Sequence, residues 1–181
     1  MIENRDDLKK KLTNMMGSDS FPFIVIKGNH DLIAEVCTEV ASELKHPMVH
    51  YKQGVHNLAN DIYGFKVNGN YCQSLFTRAC AYGQFVLISR ADQSEYRTLQ
   101  AIKPAVDHGH YYEGSEMIYD MEHDKDGNSR AICVNIPQDM KEVKSGFKVI
   151  ASVSDMEWMH RWADNLIDLL IFLDASNIEP E

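Results

Sequence analysis

The sequence predicts a three-layer α/β domain built on a mostly parallel five-stranded sheet, with a β-hairpin insertion. Three observations lead there. Short apolar runs recur at 21–26, 85–88, 147–153 and 169–173, too short for core-spanning helices. Between them lie segments whose apolar residues recur at helical spacing. Phe85-Val86-Leu87-Ile88 shows no polar alternation, the pattern of a strand covered on both faces. Strands alternating with helices argue for a parallel sheet between two helical layers.

Taken in order, Asp6 to Met16 places Leu8, Leu12, Met15 and Met16 on one face, so an amphipathic helix is expected, ended by Gly17-Ser18. Phe21 to Ile26 reads as a buried strand, and Lys27-Gly28-Asn29-His30-Asp31 as a turn. Asp31 is the expected cap of the next helix, with Leu32, Val36, Val40 and Leu44 as its buried stripe. Pro47 to Tyr51 reads as a second strand. Residues 52–70 are polar and glycine-punctuated, and are expected to be a loop or short insertion. Ser74 to Tyr82 reads as a helix with Leu75, Phe76 and Ala79 inward. A helix from about Ser94 to Val106 follows the 85–88 strand, with Pro104 near its end. Residues 111–136 alternate as a hairpin turning at Asp124-Lys125-Asp126-Gly127-Asn128. Gly146 to Val153 is a buried strand, 155–165 a helix, and Leu169 to Leu173 the last strand. The expected organisation is an N-terminal helix in 1–20, one α/β domain over 21–176 and a tail at 177–181.

Composition narrows the function classes. The chain has 181 residues, 44% of them hydrophobic, enough for a core of its own. A net charge of −9 argues against general nucleic-acid binding and against anionic membrane surfaces. The apolar stretch 166–173 is interrupted by Asp168 and too short to cross a bilayer. Cys37, Cys72, Cys80 and Cys133 form no CxxC pair, so neither a zinc ribbon nor a redox motif is suggested. The charged start Met1 to Asp7 has no secretory pattern, and a cytoplasmic protein is expected.

Several segments in this order resemble the core of an AAA+ ATPase, most closely the MoxR-like or dynein-related branch. Phe23 to Gly28 and the helix after it resemble the opening strand, P-loop and helix. Asp61-Ile62-Tyr63-Gly64 resembles the Asp-Leu-x-Gly segment of that family. Leu75-Phe76-Thr77-Arg78-Ala79 with Gly83 resembles the helix before the metal-binding strand, and Leu99, Ile102, Ala105, Val106, Asp107 and Gly109 the helix after it. Phe147 to Ser152 resembles the sensor strand, and 111–136 fits the insertion placed before it. The resemblance runs from about residue 21 to 174 and implies a P-loop NTPase-like fold.

The departures bear on chemistry. A P-loop needs glycines so that backbone N–H groups cradle phosphate, then Lys for charge and Ser/Thr for Mg²⁺. Here Gly28 is the one glycine of the turn, and the Lys and Ser/Thr positions fall near Ile33, Ala34 and Glu35. The metal strand of the family ends in an acidic pair; here those positions hold Ser89 and Arg90. Ser154-Asp155 stands where the sensor Asn is usual. Arg161 is the nearest match to the arginine that reaches a neighbour's nucleotide, and reads better as a surface arginine. The chain ends soon after Leu173-Asp174, so no helical lid is expected.

The expectation is therefore a catalytically inactive, pseudo-ATPase version of the fold, without ATPase activity and without an obligatory cofactor. It would act as an interaction, adaptor or scaffold module for a protein partner, a true AAA+ ATPase or a larger assembly, and so compact a form suits a virus or mobile element. Met156, Trp158, Met159 and Trp162 are the candidate partner-binding surface. The alternative is a vestigial nucleotide site, with Gly28, Asn29, His30 and Arg90 holding ATP or ADP without hydrolysis. A second alternative is a small metal-dependent enzyme around His108 and His110; three or four convergent ligands would be needed, and solvated loop histidines are the plainer reading. Cys80, on an apolar helix, reads as packing rather than as a nucleophile. The acidic residues from Asp120 to Asn128 do not have the order of a calcium loop.

Overall fold

The computed structural model describes residues 1–52, 54, 62–94, 96–155, 157 and 169–179. Helix α1 (Arg5–Met16) leads into strand β1 (Phe23–Lys27), helix α2 (His30–Glu43) and strand β2 (Met48–Tyr51). A small hairpin of β3 (Phe65–Val67) and β4 (Asn70–Cys72) precedes α3 (Leu75–Tyr82) and β5 (Phe85–Ile88). A 3-10 turn (Ala91–Gln93) opens onto α4 (Tyr96–Asp107). Strands β6 (His110–Tyr112), β7 (Ser115–His123), β8 (Ser129–Pro137) and β9 (Met140–Glu142) follow, then β10 (Lys148–Val153) and β11 (Leu170–Asp174).

The main sheet has the order β11-β1-β10-β5-β2, and every neighbouring pair is parallel. Strand β1 is flanked on both sides, with Val25 in register with Ala151 and with Phe172. Its alternation sorts the core into two halves. Ile24 and Ile26 join Leu8 and Leu12 of α1 and Ile33, Val36 and Val40 of α2 on one face. Phe23 and Val25 join Phe76 and Ala79 of α3 and Ile102 of α4 on the other. The inner strands are thus buried on both faces, which is why β5 reads as an unbroken apolar run and β10 is buried throughout, its Lys148 and Ser152 included.

Several local expectations are corrected. Asn29, not Asp31, caps α2: its Oδ1 accepts from the Leu32 N–H at 2.9 Å, and Asp31 sits inside the first turn. The buried stripe of α2 is Ile33, Val36, Cys37, Val40 and Ala41, because a helix beginning at His30 turns Leu32 partly outward and leaves Leu44 at its exposed end. In α3, Leu75 faces solvent at 51% exposure, while Thr77 and Cys80 are inward with Phe76 and Ala79. The 52–70 loop contains β3 and ends in its turn, where Asn68 and Gly69 both have positive φ. The long hairpin is β7–β8, and a β6–β9 ladder at its base ties it to the domain. Ile178, in the expected tail, is 9% exposed and packs in the α1–α2 half of the core.

Candidate functional site

From β1 the chain next joins the sheet toward the β2 edge, and from β10 toward the opposite, β11 edge. Where connections part in this way, a crevice forms outside the carboxyl ends of the strands, the usual ligand position of open parallel sheets. Here that position is at the carboxyl ends of β1, β10 and β5. It receives Gly28, Asn29 and His30 from the β1–α2 turn, Ser152 and Ser154 from β10, and Ser89 to Asp92 from the end of β5.

The turn is tightly used. Gly28 N–H donates to the Val153 carbonyl at 3.1 Å, and Ala175 N–H donates to the Lys27 carbonyl at 2.8 Å. Gly28 has φ +155, and a Cβ there would come within 3.0 Å of the Ala175 carbonyl oxygen, so only glycine fits without displacing that strand end. Asn29 closes the helix end through Leu32 N–H, and its carbonyl accepts from Ile33 N–H at 3.0 Å.

His30 is joined to the sheet: its Nδ1 lies 2.7 Å from Ser152 Oγ. Ser152 is fully buried and also accepts the Arg90 backbone N–H at 3.2 Å. Ser152 therefore bridges the β1–α2 turn to the end of β5. Burial first, and then the Arg90 guanidinium, push the His30 imidazole below its ordinary value, while Asp92 and Asp31 pull it the other way. A neutral ring suits the geometry, because Nδ1 then accepts the Ser152 hydroxyl proton while Oγ accepts from Arg90.

At the end of β5, Ser89 is buried and its Oγ lies 2.7 Å from His50 Nε2. Ser89 is thus committed to β2, not turned toward a ligand. Burial and then Lys52 push His50 down as well. Arg90 has a left-handed backbone, φ 55 and ψ 45, and its guanidinium reaches the Lys52 carbonyl at 3.4 Å. Asp92 Oδ2 accepts from Ser154 N–H at 3.1 Å and from its hydroxyl at 2.8 Å. Asp92 Oδ1 is buried and accepts no hydrogen bond among the described residues. The positions matching the P-loop Lys and Ser/Thr lie inside α2, where Ile33 is fully buried and Glu35 pairs with Arg5 at 2.9 Å.

Gly28, Asn29, His30 and Arg90, singled out in the sequence, thus lie around one crevice. Ser152, Ser154, Asp92 and His50 complete it; Ser152 and Ser154 fall in the segment that resembles the sensor strand and its end, whereas Asp92 and His50 carried no motif. His108 and His110 stack at 5.8 Å between ring centroids, and among the described residues no three metal-binding side chains converge. Cys80 is fully buried and its thiol is pushed well up by that burial, as packing requires. Met156, Trp158, Met159, Trp162, Arg161 and Asp61 lie outside the described residues. No helix among the described residues is long and apolar enough to cross a membrane.

No protein-family model matches the sequence, and no curated protein is significantly similar to it. Solved structures are similar. NtrX from Brucella abortus in complex with ADP superposes with a TM-score of 0.54 at 10% identity, over 94% of this chain and 35% of that one. The same protein in complex with ATP gives 0.54 at 10% identity, over 94% and 35%. A further NtrX structure gives 0.55 at 14% identity, over 92% and 36%. The chain spans about a third of the length of these NtrX chains. At such identity the likeness carries architecture alone: this chain shares with these NtrX structures an α/β fold, here built on an all-parallel five-stranded sheet.

Proposed function

We propose that this chain is a catalytically inactive AAA+-like protein, a pseudo-ATPase kept as an interaction, adaptor or scaffold module. The observation that carries the reading is the β1–α2 turn. In a working P-loop, backbone N–H groups point at phosphate and a lysine neutralises it. Here Gly28 N–H is taken by Val153, Leu32 N–H by the Asn29 side chain and Ile33 N–H by the Asn29 carbonyl. The His30 ring is bonded to Ser152, and Asp31 places a carboxylate in the first turn of α2. At the end of β5, Ser89 is bonded to His50 and a cationic Arg90 follows. Phosphoryl transfer depends on positioning and on charge stabilisation, and the groups that supply both are replaced.

The ADP and ATP named for the NtrX structures are ligands of those proteins. The kinship with the MoxR-like or dynein-related branch rests on the ordered sequence segments and belongs to this proposal. The partner would be a protein, a true AAA+ ATPase or a larger assembly, met through Met156, Trp158, Met159 and Trp162.

A thermal-shift titration with ATP and ADP, each with and without Mg²⁺, tests the reading. A ligand specific for the native state raises stability by about 2.7 kcal/mol at 100 times its Kd. The expected result is no shift at millimolar nucleotide and no phosphate release. A saturable shift that Arg90→Ala abolishes would instead favour nucleotide binding without hydrolysis by Gly28, Asn29, His30 and Arg90.

A further inference from the structure

At the amino end of the sheet, opposite the crevice, a pocket of about 520 Å³ opens among the α1–β1 linker, the α2–β2 turn and the start of β10. Lys148, the first residue of β10, lines it and is only 3% exposed. Lysine is almost never buried to this degree without a charged partner. Its Nζ donates to the Ser18 carbonyl at 2.6 Å and to the Phe21 carbonyl at 2.8 Å. Both acceptors are neutral. Among the described residues no carboxylate stands within ion-pair distance of this ammonium. Asp19 acts on it from farther off and favours its charge, but burial outweighs that and pushes Lys148 down.

An ammonium has three N–H donors. Two are held by the linker carbonyls, so one donor and most of the charge remain uncompensated. The rim adds a second cation, Lys144, and the hydroxyl of Ser145, both exposed. His46 stacks on Phe85 at 3.9 Å and donates from Nε2 to the Gly83 carbonyl at 2.6 Å, forming a fixed wall. In a chain of net charge −9, this pocket gathers two ammonium groups against the single carboxylate of Asp19.

We propose that this pocket binds a small anion, a carboxylate or a phosphate group, which takes the third Lys148 N–H and completes its missing ion pair, with Lys144 and Ser145 at the rim. The site is independent of the crevice at the other end of the sheet. Occupancy would also steady the linker, because the remaining Lys148 donors hold Ser18 and Phe21.

The test is an amide NMR titration of the full chain with inorganic phosphate and, separately, acetate, at constant ionic strength set with chloride. The expected result is saturable movement of the Ser18, Asp19, Ser145 and Gly146 amides with at least one of the two anions, and the stronger of the two identifies the ligand class. Lys148→Met keeps the stem and removes the charge, and should weaken binding roughly tenfold or more. Should that variant not fold, Ser145→Asp places a carboxylate on the exposed rim with Lys148 intact, and should weaken binding similarly. Movement equal to that in chloride alone, or full binding by whichever variant folds, overturns the proposal. Movement confined to the Gly28 to Asp31 amides overturns it too, and would point to the nucleotide reading of the other end.

Discussion

Asn29 shows how much one side chain settles at the β1–α2 turn. By taking the Leu32 N–H it caps α2 two residues before the expected cap, Asp31. Asn29→Ala should lower stability by about 1 kcal/mol, read from the urea midpoint. The two histidines of the crevice predict a pH dependence. His30 and His50 are both held below 6.5, chiefly by burial. The unfolded chain therefore takes up these protons first as pH falls. Their contribution is complete above the unfolded value and is lost as pH drops through it toward the folded values. The urea midpoint should fall between about pH 7.5 and pH 5.5, and His30→Gln with His50→Gln should flatten that fall. The carboxylates held low, such as Asp174 beside Ser176, titrate below this window and do not mimic it. The sequence made part of this site legible. Gly28 and His30 stood where a phosphate loop would be, and Arg90 where a metal carboxylate would be. Ser152, His50 and Asp92 were not legible, because nothing local says that a serine in one strand meets a histidine 122 positions away.

At the scale of elements, packing and surface charge compete to explain why α1 stays on the domain. The two helices run parallel, with Arg5 on Glu35 and Glu39, and Lys9 on Glu39 and Glu43. These pairs are solvent-screened and weak. Leu8 and Leu12 are fully buried against α2. Leu12→Ala should cost about 2–5 kcal/mol, whereas Glu39→Gln should leave the urea midpoint nearly unchanged. The α3–β5 joint offers a sharper test. Gly83 caps α3 in the left-handed region, φ 67, and a Cβ there would run into the Ser145 carbonyl. Gly83→Ala should destabilise by at least about 1 kcal/mol. The inner strands β1, β5 and β10 were readable because burial on both faces makes them mostly apolar, and the edge strands β2 and β11 because short apolar runs mark them. The β3–β4 hairpin was overlooked because its strands are only three residues long and mostly exposed, so no buried face marks them. Its Asn68-Gly69 turn was the available signal.

For the whole molecule, the arrangement separates a rigid sheet from an appended ribbon. The β7–β8 hairpin pairs nine residues on nine, and its tip residues Met121 to Arg130 are all exposed. A two-stranded ribbon has little stability of its own, so its amides should exchange with solvent well before those of β1, β5 and β10, a difference that hydrogen-exchange mass spectrometry would resolve. The reverse order would mean that the ribbon is held by contacts beyond β6–β9. The flanking of β1 has a consequence in time. Its two neighbours, β10 and β11, are the last strands of the sheet to leave the ribosome. Until they emerge, Phe23 to Lys27 presents two bare edges, so the nascent chain must hold an adhesive strand open until β10 and β11 follow. A strand that ends up flanked on both sides is thus bare on both sides during translation.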